Sequence, residues 1–366
     1  YKLAWSSTSS SDQRRCDGKV SEPATNTGPC LRNTKRVGRV GSTVSRSTPT
    51  VFISVHPFGD IDNRPLNLLR DAGMRVAVNP LARRLTENEL TEFLRDADVL
   101  VAGTEPITDQ VMSNAPQLGL IARVGIGLDN VDLDAARNRG ITVTFTPDAP
   151  APAVSELTCG LMLSLLRGIA KADSAVRLGQ WQRILGRRLG GLTVGVIGVG
   201  RVGRRVIEHL HGFGCHILAN DLVSDPVLAT RFDITWTSKE QIYKEADVIT
   251  LHVPLTQATR HLIGPVELAT MKTDALLINT SRGPVVDESC LVAALREKQL
   301  GGAALDVFEH EPYSGELTTL DNCLLTCHMG SMSRDCRVQM ETESVEEVLR
   351  YARGESPNQP VPMDYL

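Results

Sequence analysis

Nowhere does the chain carry an apolar run near the ~18 residues that crossing a bilayer takes; a stretch such as residues 161–166 is short and flanked by Glu156 and Arg167. No membrane partner is expected. An excess of one charge is missing as well. Lys and Arg number 39 against 43 Asp and Glu, a formal net charge of -4 with the signs intermixed. That leaves no basic stripe for a phosphate backbone, so nucleic acid is not an expected partner. A dense cysteine framework is also absent: eight cysteines are scattered singly through 366 residues. Reduced thiols in a cytoplasmic protein fit that better than a secreted, disulfide-stapled domain. Cys323, Cys327, His328 and Cys336 come nearest to a metal set. A closed tetrahedral knuckle is needed there, and Leu324-Leu325 between the first two reads as a buried strand, so no metal is expected.

At 366 residues the chain exceeds an ordinary single domain, and two separate cores are expected. Residues 1–48 are rich in Ser, Thr, Asn and Arg and follow no period, which predicts a disordered or loosely attached extension. Its basic excess suggests an organellar transit peptide, but no clear amphipathic helix accompanies it, and a linker or the end of an upstream segment is preferred. From Pro49 onward, short β-rich runs (51–55, 75–78, 99–102, 120–124, 141–145) alternate with helical stretches (65–72, 87–95, 133–138). Strands joined by helical crossovers imply a parallel sheet. A long helix is predicted from Pro152 to Arg167, apolar on most sides and therefore buried between domains or subunits. A second alternation runs from Leu192 to about Leu325, and residues 333–353 predict a closing helix that returns to the first domain. The expected division is 49–148 with 332–366 for substrate, and 149–331 for nucleotide.

Gly198, Gly200 and Gly203, with Val199, Arg201 and Val202 between them, directly follow the apolar strand Val194-Gly195-Val196-Ile197 and open a helical stretch. In that setting the first glycine permits a tight turn, the second admits a pyrophosphate to the backbone and the third lets helix and strand pack closely. The next strand ends in Asp221, 18 residues after Gly203. Its carboxylate suits the ribose hydroxyls and repels a 2′-phosphate, which favours NAD over NADP.

Hydride transfer between an alcohol carbon and a nicotinamide needs a proton carrier, a group that orients it and a cation for the substrate carboxylate. The second half supplies candidates for all three. Residues 276–279 predict a buried strand leading through Thr280 to Arg282, whose planar fork grips a carboxylate at two points. A further predicted strand, 303–308, precedes a loop bearing Glu309 and Glu311, and another leads through Thr326 and Cys327 to His328. A carboxylate beside a histidine stabilises the imidazolium that would donate a proton to an oxo acid.

The segments Arg123-Val124-Gly125-Ile126-Gly127-Leu128-Asp129-Asn130, the glycine turn, Leu251-His252-Val253-Pro254, Asn279-Thr280-Ser281-Arg282-Gly283, Leu305-Asp306-Val307-Phe308 with Glu311-Pro312, and Thr326-Cys327-His328 come in the order of a known family. Over about residues 49–354 the chain resembles the D-isomer-specific 2-hydroxy-acid dehydrogenases, in their phosphoglycerate dehydrogenase-like branch. The resemblance implies an α/β protein of two Rossmann-like domains with parallel sheets, a flavodoxin-like substrate domain and an NAD-binding domain, acting as a homodimer. It implies that His328 is the acid/base, Glu311 its partner and Arg282 the substrate clamp. Asp306 would hold the nicotinamide carboxamide and Thr280 would border the cofactor. The segment His252, Val253 and Pro254 would run along the adenosine, with His252 itself structural. Backbone at Val124 and Gly125 would help hold the substrate carboxylate.

The family's usual proline before the histidine is Cys327 here. Gly103-Thr104-Glu105-Pro106 stands where phosphoglycerate enzymes place an Arg-Ser pair, and an acid there does not help a phosphate. The regulatory domain of the long phosphoglycerate enzymes is not expected after the closing helix. Glyoxylate/hydroxypyruvate reductase and a phosphonate or sugar-acid dehydrogenase remain alternatives. Ile126 in place of a lysine disfavours the phosphite-oxidising branch, and Glu311 in place of a glutamine the formate branch. From another class comes a C-terminal-binding-protein-like corepressor, which would bind NAD without turnover.

Overall fold

The computed structural model describes residues 48–362, so the expectation for the N-terminal extension lies, apart from Thr48, outside the described residues. The first alternation runs β1 (Thr50–Ile53), α1 (Arg64–Asp71), β2 (Arg75–Val78), α2 (Glu87–Leu94), β3 (Val99–Ala102), α3 (Asp109–Ser113), β4 (Leu120–Arg123), α4 (Leu133–Asn138) and β5 (Thr142–Thr144). Its strands pair in parallel in the order β2-β1-β3-β4-β5, the flavodoxin-like arrangement. Every residue of β3 and β4 is buried, because helices cover both faces and leave no polar side for alternation.

The long helix α5 (Pro150–Arg167) begins two residues earlier than the sequence suggested, since Pro150 already suits the first turn. Gly168, at φ 60°, ends it, and α6 (Ile169–Arg177) then buries none of its residues. No single described helix is long and apolar enough to cross a membrane; α5 and α6 reach that length only as a pair bent by 63°.

The second alternation runs β6 (Thr193–Ile197), α7 (Arg201–His211), β7 (His216–Asn220), α8 (Pro226–Phe232), β8 (Ile234–Trp236), α9 (Lys239–Glu245), β9 (Val248–Leu251), α10 (Pro265–Thr270), β10 (Leu276–Asn279), α11 (Glu288–Arg296), β11 (Gly302–Leu305) and β12 (Cys323–Leu325). These strands form a parallel sheet ordered β12-β11-β10-β9-β6-β7-β8, with α5 packed on α7, β10 and β11. The order reverses between β6 and β9, the topological switch point where open parallel sheets hold ligands. The strand expected over 303–308 stops at Leu305; the Asp306 N–H still donates to the Asn279 carbonyl, while its side chain binds backbone of the loop after β12. Finally α12 (Arg334–Ala352), capped by Ser333, packs against α1, β3 and β4 of the first sheet. The fold class read from the sequence is the one observed.

Candidate active site

Loops from the carboxyl ends of both sheets surround one cavity of about 1300 Å³. On the second sheet's side, β6 delivers the glycine turn. Gly198 has φ +92°, and a Cβ on it would lie 2.6 Å from the His252 carbonyl carbon. A Cβ on Gly203 would come within 2.0 Å of the Gly198 oxygen, so that only glycine lets α7 approach β6 this closely. A Cβ at Gly200 would meet open space. That space lies at the start of α7, whose N-terminus has no side-chain cap, and Gly200, Arg201 and Val202 line the cavity there. Unpaired N–H groups and a positive helix end facing open room are what a pyrophosphate requires. The turn therefore fits a dinucleotide.

Gly198, Gly203 and Asp221 frame the turn without lining the cavity. Asp221, exposed at the end of β7, accepts from the N–H groups of Val199 at 2.5 Å and Leu222 at 2.6 Å. Arg201 pairs with Asp148 at 2.6 Å, ahead of α5. His252, Val253 and Pro254 line the wall after β9. Burial pushes the His252 imidazole down to about 3, and its Nε2 lies 2.9 Å from the Thr250 hydroxyl. Thr280 also lines the wall and shares a 2.8 Å hydrogen bond with Thr158 on α5.

On the same side, His328 Nδ1 lies 2.7 Å from Glu311 Oε2, and both residues line the cavity. This fixes Nδ1 toward the carboxylate and leaves Nε2 for a reacting group. Burial works to raise the Glu311 carboxyl, but the hydrogen bond and charge of His328, the Phe308 N–H and the charge of Arg84 outweigh it and hold it below its ordinary value. The loop itself is tied down by Asp306. One carboxylate oxygen accepts from the Thr326 hydroxyl and the Met329 N–H, the other from the Gly330 N–H at 2.8 Å, and the Asp306 carbonyl takes the His328 N–H. His328 is held at φ 52°, an uncommon conformation that this web of bonds sustains. Asp306 is 1% exposed and opens onto the cavity with a carboxylate already engaged.

Arg282, after β10, crosses to the first sheet's loops: its Nε binds Asp129 at 2.7 Å, its Nη1 the Ser281 carbonyl, and its Nη2 has no hydrogen bond among the described residues. A Cβ on Gly127 would overlap that Nη2 at 1.4 Å. The cavity thus sets a cation and a histidine–carboxylate pair beside a nucleotide turn, a combination suited to hydride exchange with a carboxylic acid.

Residues 159–330 match the model of the D-isomer specific 2-hydroxyacid dehydrogenase NAD binding domain. A glyoxylate reductase of Thermococcus litoralis is 39% identical over 76% of this chain and 87% of its own length. The chain belongs to the D-isomer-specific 2-hydroxyacid dehydrogenase family. A D-3-phosphoglycerate dehydrogenase of Methanocaldococcus jannaschii is 41% identical over 75% of the chain, which spans only 53% of that relative. A solved D-lactate dehydrogenase from Aquifex aeolicus, in complex with NAD and lactic acid, superposes with a TM-score of 0.75 at 29% identity, covering 84% of this chain and 96% of that one. This dehydrogenase uses NAD and interconverts a 2-hydroxy acid and its 2-oxo acid.

The first sheet's side of the dehydrogenase cavity adds groups that sequence reasoning left without a role, Arg84, Asp129 and Arg337 among them. Arg84 reaches the Glu311 carbonyl at 3.3 Å, and Asp129 meets Arg282. Burial works to raise the Asp129 carboxyl, but Arg282's charge and hydrogen bond prevail and hold it low. Arg123, Glu105 and Arg337 line the wall although each is at least 95% buried. Val124 and Gly125 line it too, but their N–H groups are already donated, Val124 to the Ala102 carbonyl and Gly125 to the Thr146 hydroxyl at 2.8 Å. The turn after β4 consumes the two donors that the resemblance offered to a substrate carboxylate.

Proposed function

We propose that the dehydrogenase reduces a small, unphosphorylated 2-oxo acid to its D-2-hydroxy acid, with NADH supplying the hydride. The observation that carries this reading is the 2.7 Å His328–Glu311 pair, on the cavity that also holds Arg282 and the open end of α7. His328 Nε2 delivers the proton to the developing alkoxide, Glu311 orients the ring and stabilises its charged form, and the fork of Arg282 holds the carboxylate. Asp129 occupies part of that fork, so the acid either displaces it or binds through the remaining Nη2. Asp306 would reach the nicotinamide carboxamide while anchoring the His328 loop, and Asp221 the adenosine ribose. The first sheet with α12 would close on the second around the acid, excluding water.

NADH oxidation followed with glyoxylate, hydroxypyruvate, pyruvate, 3-phosphohydroxypyruvate and a phosphonate analogue tests the reading. Sustained turnover of an unphosphorylated acid supports it. Turnover confined to 3-phosphohydroxypyruvate would assign the chain to the phosphoglycerate reaction, and nucleotide binding without any turnover would assign it to a corepressor-like binder.

A second copy of the chain is the proposed partner, and the cytoplasm the proposed compartment. Ile169, Val176, Leu178, Trp181 and Leu185 are all more than half exposed on α6 and the segment after it, an apolar surface of the kind that marks subunit contact. Leu185→Glu with Trp181→Glu should shift the sedimenting species from dimer to monomer.

A further inference from the structure

Glu311 sits on a loop whose first half is anchored from the second sheet's side. Asp306 binds backbone of the His328 loop, and a Cβ on Gly283 would overlap the Phe308 carbonyl carbon. The Glu309 N–H donates to Glu288 at 3.2 Å, and the Glu309 carboxylate lies 2.9 Å from His261 Nε2. At Glu311 the anchoring changes side. Among the described residues its N–H makes no hydrogen bond, and Pro312 has no N–H to give. The one hydrogen bond that reaches its backbone there comes from the other sheet: Arg84 Nη1 donates to the Glu311 carbonyl at 3.3 Å, across 227 positions of the sequence.

Arg84 is presented by a loop that holds its own shape. Asn79, 7% exposed at the end of β2, donates through Nδ2 to the Ser54 and Arg83 carbonyls at 2.9 and 2.8 Å and accepts from the Leu81 N–H at 2.9 Å. Arg83 forks onto both oxygens of Glu89 at 2.9 and 2.6 Å and reaches the Arg84 carbonyl at 3.0 Å, while Leu85 is buried in the core. With both neighbours fixed, the exposed Arg84 side chain borders the cavity, and its Nε and Nη2 make no hydrogen bond among the described residues. At 3.3 Å its bond to Glu311 is long for a charge-assisted contact. Such bonds tighten when a cleft closes on its ligands.

We propose that Arg84 is a positioning residue: as the first sheet's side closes on the second, its bond to the Glu311 carbonyl tightens and fixes the carboxylate against His328, so that the proton donor is assembled only in the closed cleft. The inference rests on the reading of this cavity as the oxo-acid site. Arg84 does this without touching the acid. A carboxylate that drifts from Nδ1 frees the imidazole to turn, and a misplacement of about 1 Å costs on the order of 100-fold in rate. Charge acts in the same direction. Burial works to raise the Glu311 carboxyl, and it is opposed by His328 from the loop after β12, by the Phe308 N–H on its own loop and by Arg84 from the loop after β2. Glu309, the other acid of that loop, is engaged by His261 outside the cavity.

The test compares Arg84→Met, which keeps an unbranched stem but loses donor and charge, with Arg84→Lys, which keeps both. The side chain is exposed, so both variants should match the wild type in urea midpoint. The readout is the single-turnover rate of NADH oxidation with glyoxylate and with hydroxypyruvate, followed against pH. Arg84→Met should lower that rate about 10-fold with both acids, with NADH affinity and KM within two-fold of wild type, and Arg84→Lys should recover most of the loss. The acid limb of the profile, where Glu311 takes up a proton, should move to higher pH in Arg84→Met, because the cation that favours the ionised carboxylate is gone. A loss with hydroxypyruvate but not with the shorter glyoxylate would make Arg84 a substrate contact and overturn the inference. A lower rate whose acid limb stays in place would reduce Arg84 to a structural role, and a rate equal to wild type would leave the bond without effect; either overturns it. A wild type that reduces no unphosphorylated oxo acid would remove the oxo-acid reading itself, and this inference with it.

Discussion

The two sides of the cavity are built by different means. On the second sheet's side, β6, β9, β10 and β12 end in loops that turn backbone and short polar side chains toward it: the uncapped start of α7, the turn after β9, and His328 held by Asp306 and Glu311. On the first sheet's side, charged side chains that are themselves buried line the cavity: Glu105 from the loop after β3, Arg123 at the end of β4, and Arg337 on α12, which pairs with Glu341 one turn on at 2.8 Å. Backbone donors at a strand end are dictated by the fold and serve any nucleotide of the right shape. Paired buried charges are costly to desolvate and respond to small differences in what occupies the site. On the proposed reading, the second side sets the reaction and the first side the choice of acid.

The largest effect that would break this contrast lies at His328. His328→Ala should lower kcat with the best oxo acid by at least about 100-fold while NADH affinity stays within two-fold, since the histidine lies outside the glycine turn. A variant of undiminished kcat would take the chemistry away from the second side. Smaller is the effect expected at Asp221. Replacing it with Ser removes the carboxylate that faces Val199 and Leu222 and would repel a 2′-phosphate. NADPH should gain on NADH by about 10-fold in kcat/KM, roughly one charge contact's worth. An unchanged preference would mean that the ribose pocket is set elsewhere.

The same contrast explains what the sequence disclosed. Gly198, Gly200, Gly203, Asp221, Arg282, Glu311 and His328 sit in short segments at strand ends, where a local pattern carries the geometry. Ser54 and Glu105 are separated by 51 residues and Arg282 and Asp129 by 153, so no local period marks their meeting. Arg123 and Asp129 stand inside a segment quoted for its resemblance, but only the packing of β4 shows that the N–H groups of Val124 and Gly125 are consumed and that the arginines flank the loop. Strand boundaries erred at their ends, as at β11, which stops at Leu305 although the Asp306 N–H still bonds the Asn279 carbonyl. That the sheets are parallel needed only the alternation of strands and crossovers; the strand order and the buried charges needed the resemblance or the folded chain.

Acid sensitivity separates the two sides with the smallest expected effect. Burial holds His252 neutral, down to about 3 from an ordinary 6.5. The unfolded chain therefore binds a proton that the folded chain refuses, and this contribution to stability is whole above pH 6.5 and is lost as pH falls from there toward 3. Glu311, held low by His328 despite its burial, adds a loss of the same sign at more acidic pH, through its depressed folded value. On the first side burial raises Glu341, against the Gly59 N–H and Arg337. There the folded chain binds the extra proton, so its share of stability grows as pH falls toward the ordinary carboxylate range. Urea midpoints between pH 7 and 5 should thus decline in the wild type and decline less in His252→Asn, whose side chain does not titrate. Parallel curves for the two proteins would place the acid-labile group outside the nucleotide wall and erase this part of the contrast.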